Sequence, residues 1–279
     1  MTNHPVPVGT LSDVLALHPL LPLAWRTAWA AGRFLRDERP PDLMVDTKSS
    51  PTDAVTVMDR TAEAMIIGSI LRERPDDGVL GEEGGTRESV SGVRWVIDPL
   101  DGTVNYLYRL PMWGVSIAAE DEAGTAIGVI VIPEFDESYV GVRGQGSWRI
   151  VGPHATSLAI SGIQDLSGAL VSTGFGYDSE RRRRQGEVVA GLVAQVRDVR
   201  RNGAAVLDLC WVAAGRLDAH YEKGLNPWDY AAGALIAAEA GASVGGLLDD
   251  DLSSMVVIAA PGIATALREI LVSLAADQC

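Results

Sequence analysis

Asp98 and Asp101 are the residues whose placement in this chain most directly implies chemistry. Asp98 follows Arg94-Trp95-Val96-Ile97, three of them apolar, so the stretch reads as a short buried strand ending in a carboxylate. Asp101 comes three residues later, across a turn that contains Pro99. Two carboxylates converging on one point repel each other unless a cation sits between them. Oxygen ligands without His or Cys suit Mg²⁺, Mn²⁺ or Ca²⁺ better than Zn²⁺. A plainer alternative is open, since either Asp can cap the helix that starts near Gly102-Thr103-Val104-Asn105. Gly102 and Thr103 add weight to the chemical reading, because a glycine at a helix start lets backbone N–H groups approach a phosphate closely. Metal ligands beside an anion pocket suit phosphoryl transfer, where cations and N–H donors stabilise charge on the equatorial oxygens.

Four stretches, in order, resemble the motifs of the inositol monophosphatase family. They are Lys48-Ser49-Ser50-Pro51-Thr52-Asp53 running on to Asp59, Gly81-Glu82-Glu83, Asp98-Pro99-Leu100-Asp101-Gly102-Thr103-Val104-Asn105, and Trp228-Asp229-Tyr230-Ala231-Ala232-Gly233-Ala234. The resemblance extends over roughly residues 10 to 275. It implies a mixed α/β fold, an αβαβα layered sandwich of the sugar-phosphatase type, in a single catalytic domain over residues 10–276. The half before about residue 150 would carry most metal ligands, and the half from 151 would supply Asp229 and substrate contacts.

The resemblance also implies roles. Glu82, Asp98 and the Leu100 carbonyl would hold one Mg²⁺, and Asp98, Asp101 and Asp229 a second. A third, weaker Mg²⁺ would lie near Glu82, and Mn²⁺ is an alternative metal. A metal-activated water beside Glu82 and Thr103 would attack in line, with Asp59 accepting a hydrogen bond from the Thr103 hydroxyl. The Gly102 and Thr103 N–H groups would bind phosphate. Glu222, the Gly203-Ala204-Ala205 turn, Asp101 and Asp229 would contact the polyol. The family often has a hydroxyl residue where this chain has Ala204, which removes one substrate contact. The implied activity is hydrolysis of myo-inositol monophosphate, by a homodimer sensitive to Li⁺. Histidinol phosphate and other small sugar phosphates are alternative substrates. A bisphosphate or nucleotide would require further cationic or aromatic groups at the site, which the sequence alone does not place. An alternative of another class is a regulatory binding module that contacts transcription or RNA-processing machinery.

Each of these residues also has a plain reading. Asn226-Pro227-Trp228-Asp229 scans as N-cap to N3, so Asp229 can simply cap its helix. Glu82, Asp59 and Glu222 can be solvated surface acids. Arg181-Arg182-Arg183-Arg184 is the one basic cluster. It is a solvated first helical turn, a lip attracting an anionic substrate, or a macromolecular contact. His4, His18, His154 and His220 show no ligand or triad spacing, so His is not expected as nucleophile or base.

The elements that position these residues follow from hydrophobic periodicity. Helices are expected over 11–35, with Ser12 or Asp13 as N-cap, and over 56–71, 180–196, 206–214, 227–240 and 264–276. Strands are expected over 94–97, 114–119, 125–132, 138–142, 169–172, 217–222 and 255–260, with a loop following Val79-Leu80 and a turn at Gly144-Gln145-Gly146. Among 279 residues, 47% are hydrophobic, which excludes disorder over most of the chain. A formal charge of −14 disfavours nucleic acid and anionic membrane as partners. Cys210 and Cys279 make neither a disulfide framework nor a zinc cluster. The apolar stretch 14–31 is broken by Pro19, Pro22 and Arg26, and the first residues lack a basic signal region. A cytoplasmic location without membrane spans is the expectation.

Overall fold

In the computed structural model, which describes residues 7–42, 45–47 and 54–279, the run before Asp98 belongs to a strand, Arg94–Asp101, in which Trp95 to Leu100 are buried. The strand is longer than the periodicity suggests because it continues through the Pro-containing turn. It lies near one edge of a nine-stranded sheet. The spatial order is Pro7–Thr10, His154–Ser157, Gly146–Val151, Glu137–Val142, Gly124–Ile132, Gly114–Asp121, Arg94–Asp101, Gly78–Gly81 and Thr86–Arg87. All neighbours are antiparallel except Gly78–Gly81 beside Arg94–Asp101. A second, five-stranded sheet runs Asp198–Arg200, Leu170–Thr173, Ala219–Glu222, Val256–Ala259 and Ser243–Gly245.

Helices Leu21–Asp37 and Val57–Glu73 cover one face of the large sheet. Helices Ala205–Ala213 and Pro227–Glu239 fill the space between the two sheets, and Ser179–Leu192 with Pro261–Ser273 cover the outer face of the small one. This is the expected αβαβα layering, with one apolar core in each interlayer space. The middle layer is thin because its helices present small residues, among them Ala231, Ala232, Gly233 and Ala234. Close approach is also built into the sheet: a Cβ on Gly128 would sit 2.7 Å from the Ala232 carbonyl oxygen, and one on Gly141 3.0 Å from Ile236.

Several expected elements differ. The helix expected over 11–35 is two helices, Leu11–Leu15 and Leu21–Asp37, separated by a turn around Pro19. Its N-cap is Thr10, which exchanges hydrogen bonds with Asp13 in a capping box, and neither Ser12 nor Asp13 is the cap. Val79-Leu80 is part of a strand, Gly78–Gly81. The turn at 144–146 leads into a hairpin, Gly146–Val151 and His154–Ser157. The Lys48–Asp53 motif lies outside the described residues.

Candidate active site

Asp98 pairs with Ser116 and Asp101 with Gly114, so three steps along one strand match two along its neighbour. The extra residue is a bulge. Residues three apart in an even strand point to opposite faces, and the bulge corrects this, so both carboxylates face one cavity. The cavity has a volume of about 530 Å³ and is also lined by Glu82, Gly102, Thr103 and Asp229.

Each of these groups is held by its own element. Glu82 follows the Gly78–Gly81 strand, and its loop is pinned from below by buried Glu63. The Glu63 carboxylate accepts from the Glu83 N–H at 2.8 Å and the Gly85 N–H at 2.9 Å. Asp229 is N3 of the Pro227–Glu239 helix and accepts from the Asn226 N–H at 2.6 Å, so capping and cavity-lining coexist. Gly102 adopts φ +90° at the N-cap of Thr103–Leu107. A Cβ there would meet the Met112 carbonyl oxygen at 2.8 Å and Ala204 at 3.1 Å, so only glycine fits the turn and its close neighbours. The Thr103 hydroxyl lies 3.1 Å from both Asp59 Oδ1 and the Leu100 carbonyl oxygen. Asp59 is itself buried and closes a capping box with Thr56.

The charge balance of the cavity is unusual. Asp98 Oδ1 accepts from the Leu100 N–H at 2.9 Å, whereas Oδ2 is buried with no hydrogen-bond partner among the described residues. Burial first, then the charges of Glu82, Asp101 and Asp229, hold the Asp98 carboxyl well above the usual range. Burial also pushes Asp101 up to about 7, against the Val206 N–H that donates to it at 2.7 Å. Asp229 is raised well above its usual value by burial and by Asp101. Clustered carboxylates with an orphaned oxygen and no His or Cys among them form a donor set that fits a hard divalent cation. Among the described residues no three acids are preset around one point as a closed cage, as expected of like charges that line an open cleft.

The opposite wall of the cavity is drawn from the other half of the chain. Gly203, Ala204, Ala205 and Glu222 all line the same cavity. Glu222 packs on Gly174, where a Cβ would overlap its carboxylate at 2.0 Å. Burial first, then Asp101 and Asp208, lift Glu222 to about 8. All twelve expected site residues are therefore placed: eleven line the cavity, and Asp59 stands behind Thr103.

Other residues had escaped the sequence reading. Asn105 donates to the Met112 carbonyl at 2.6 Å and the Asn202 carbonyl at 2.8 Å, tying the Thr103 helix to the 203–205 turn. Asp208 lines the cavity and accepts from Asn202 at 2.6 Å. Its signal was present, an acid inside the apolar run Val206-Leu207-Asp208-Leu209-Cys210. Glu63 had no local signal, because its partners lie about twenty residues away. Replacing Glu63 by Ala is expected to leave the two loop N–H groups unpaired, lower stability by ~1–3 kcal/mol, and weaken divalent-cation binding. Urea unfolding and a calorimetric Mg²⁺ titration check the two effects.

His220 is fully buried behind Glu222. Its Nδ1 lies 3.0 Å from the Ser172 hydroxyl and its Nε2 3.6 Å from Glu222. Burial pushes it down to about 3. The unfolded chain takes up this proton below pH ~6.5 and the folded one does not until about 3, so stability falls as pH drops through that window. Glu222 and Asp208, raised to about 8 and about 7, act in the opposite sense. The expected readout is therefore a difference. Relative to His220→Phe, the wild type gains up to ~1.4 kcal/mol per pH unit as pH rises through this window, measured by urea unfolding.

A sequence profile of the inositol monophosphatase family matches residues 16–278. A Mycobacterium bovis protein named inositol-1-monophosphatase is 47% identical over 232 residues, which cover 80% of this chain and 79% of that protein. An Escherichia coli protein named Nus factor SuhB is 38% identical over 231 residues, covering 82% and 85%. The solved structure of Mycobacterium tuberculosis SuhB superposes with a TM-score of 0.76 at 42% identity, covering 91% of this chain and 95% of that one.

Proposed function

This chain belongs to the inositol monophosphatase family, and from that premise we propose that it is a divalent-cation-dependent phosphomonoesterase that hydrolyses myo-inositol monophosphate to inositol and phosphate. The observation that carries the reading is the orphaned Asp98 oxygen in a cavity shared with Glu82, Asp101 and Asp229, next to the Gly102 turn. Glu82, Asp98, Asp229, Asp101 and the Leu100 carbonyl would hold Mg²⁺, or Mn²⁺ in its place. When bound, the cation supplies Lewis acidity, withdrawing charge from the phosphoryl oxygens and making water acidic enough to attack near neutral pH.

The chain's own residues do the rest. Gly102 and Thr103 offer backbone N–H groups to the phosphoryl oxygens. The Thr103 hydroxyl, already donating toward Asp59, presents its lone pairs to an incoming water and orients it. Glu82, in the wall of the same cavity, would accept the proton. Glu222 reads hydroxyls on the leaving polyol, since its carboxyl oxygens accept from them and, when protonated, its O–H can donate in return. Phosphate release from inositol 1-phosphate, histidinol phosphate and glycerol phosphate, each with Mg²⁺, tests the reading. Indifference to inositol phosphate would overturn the substrate.

The homodimer, the Li⁺ sensitivity and the cytoplasmic location implied by the family are part of the same proposal. A monomer in light scattering, or turnover untouched by tens of millimolar Li⁺, would count against it. No helix among the described residues is long and apolar enough to cross a membrane. A second reading is favoured by the relative named Nus factor SuhB: a regulatory contact with transcription machinery beside the hydrolase. Asp98→Asn separates them, because a binding role would survive that change and hydrolysis would not.

A further inference from the structure

A buried polar thread runs behind the wall that carries Glu222. His220 and Glu222 stand two residues apart on the Ala219–Glu222 strand, so their side chains leave the same face. The parallel neighbour Leu170–Thr173 sets Ser172 directly opposite His220. Asp208 reaches the same group from the Ala205–Ala213 helix, with Oδ2 3.6 Å from His220 Nδ1. Asn202 donates to Asp208 Oδ1 at 2.6 Å, and the Asn202 carbonyl accepts from Asn105 at 2.8 Å. The thread thus extends from the helix after Gly102 to Glu222.

The hydrogens along it can be placed. His220 is fully buried, and burial holds its ring neutral, so the ring carries one N–H. The Ser172 hydroxyl lies 3.0 Å from Nδ1 and has the Ala219 carbonyl at 3.4 Å to receive its own proton. With Ser172 donating away and the Asp208 carboxyl close by, the ring N–H belongs on Nδ1. Nε2 is then a bare acceptor, and it is buried with no hydrogen-bond partner among the described residues. A buried polar atom left in this way is costly. Nε2 faces Glu222 Oε2, 3.6 Å away. Burial lifts Glu222 to about 8, so near neutral pH its carboxyl carries the hydrogen that Nε2 lacks. Gly174 confines the same carboxyl, since a Cβ there would sit 2.0 Å from Oε2.

We propose that His220 is a positioning residue for Glu222: its Nε2 engages Oε2 on the buried side and leaves Oε1 to accept from a polyol hydroxyl in the cavity. A small rotation of Glu222 closes the pair to hydrogen-bond distance. Without the ring, the Glu222 hydrogen is free to turn outward, and the carboxyl presents a donor where an acceptor is needed. His220 thereby sets selectivity for a leaving group with hydroxyls, without touching the substrate. The inference rests on the phosphomonoesterase reading and adds to it the group that orients the polyol contact.

The test compares inositol 1-phosphate with p-nitrophenyl phosphate, whose leaving group lacks polyol hydroxyls. With Mg²⁺, His220→Phe is expected to raise KM for inositol 1-phosphate about five- to tenfold and to leave p-nitrophenyl phosphate kinetics within about twofold. Added to Glu222→Gln it should cost nothing further, because the contact it serves has already gone. Gln and Asn sort the two ring nitrogens, since their amides reach as far as Nε2 and Nδ1 respectively. His220→Gln should therefore restore most of the affinity and His220→Asn little. Equal losses on both esters, or equal behaviour of Gln and Asn, would make His220 a packing residue and overturn the proposal. A second readout needs no turnover. Ring ¹⁵N spectra of the metal-free protein, which has four histidines, should show the Nδ1–H tautomer and an Nε2 resonance that moves in Glu222→Gln while Nδ1 stays. An unmoved Nε2 would also overturn the proposal. A wild type that splits neither ester would end the phosphatase reading, and the Nε2 shift would still decide whether His220 holds Glu222.

Discussion

Asp98→Asn is expected to lower kcat/KM for inositol 1-phosphate by ~10³-fold or more, equivalent to about 4 kcal/mol of barrier. The same variant is expected to be more stable than the wild type when divalent cations are absent. The two effects have one origin. Asp98 Oδ2 is buried without a partner, and three other carboxylates press on the group. An amide of the same shape removes the charge and can donate to Glu82, which relieves ~1–3 kcal/mol. Thermal unfolding in chelator and steady-state kinetics in Mg²⁺ together read both arms. A variant that lost activity and stability in parallel would make Asp98 a fold residue and remove the argument for its role.

Removing the cation is the second large effect. Dialysis against a chelator is expected to bring turnover to background, and added Mg²⁺ or Mn²⁺ to restore it. Saturating cation at about a hundred times its Kd contributes ~2.7 kcal/mol of stability. For a chain of this size that is a rise of roughly 5–10 °C in the unfolding midpoint. Asp98→Asn should show little of that rise, because the oxygen that most lacks a partner has gone. Turnover that survives exhaustive chelation would end the metal-assisted reading outright.

The sequence made these acids readable because their meaning is local. Asp98 to Asn105 and Trp228 to Ala234 are contiguous stretches, and their resemblance to the family's motifs pointed to a cation and phosphate site. Periodicity announced the individual helices and strands of the second half, while the αβαβα order of the layers came from the family resemblance. What stayed hidden depends on distance. Glu63 matters through the Glu83 and Gly85 N–H groups, and Asn105 through the Asn202 carbonyl. No windowed pattern records such contacts. The hairpin at 146–157 was missed because its strands mix Ser147, Trp148 and Arg149 at the sheet's far side, which blurs alternation. The helix after Thr10 was read as continuous because its apolar spacing carries on past the break, although Pro19 marked the interruption.

The slim helical slab between the sheets has a consequence for how this enzyme can adapt. Asp229 sits on the first turn of a rod packed between the two sheets, and Gly128 and Gly141 of the large sheet leave it no slack on that side. Its carboxylate can shift only if that packing opens, and the packing is the heart of the domain. Amide protons along 231–237 should therefore exchange with solvent only through complete unfolding, at the slowest rate in the molecule. Changes of specificity are then steered to the loops 174–178 and 201–204 that line the cavity, while the helix carrying Asp229 stays rigid.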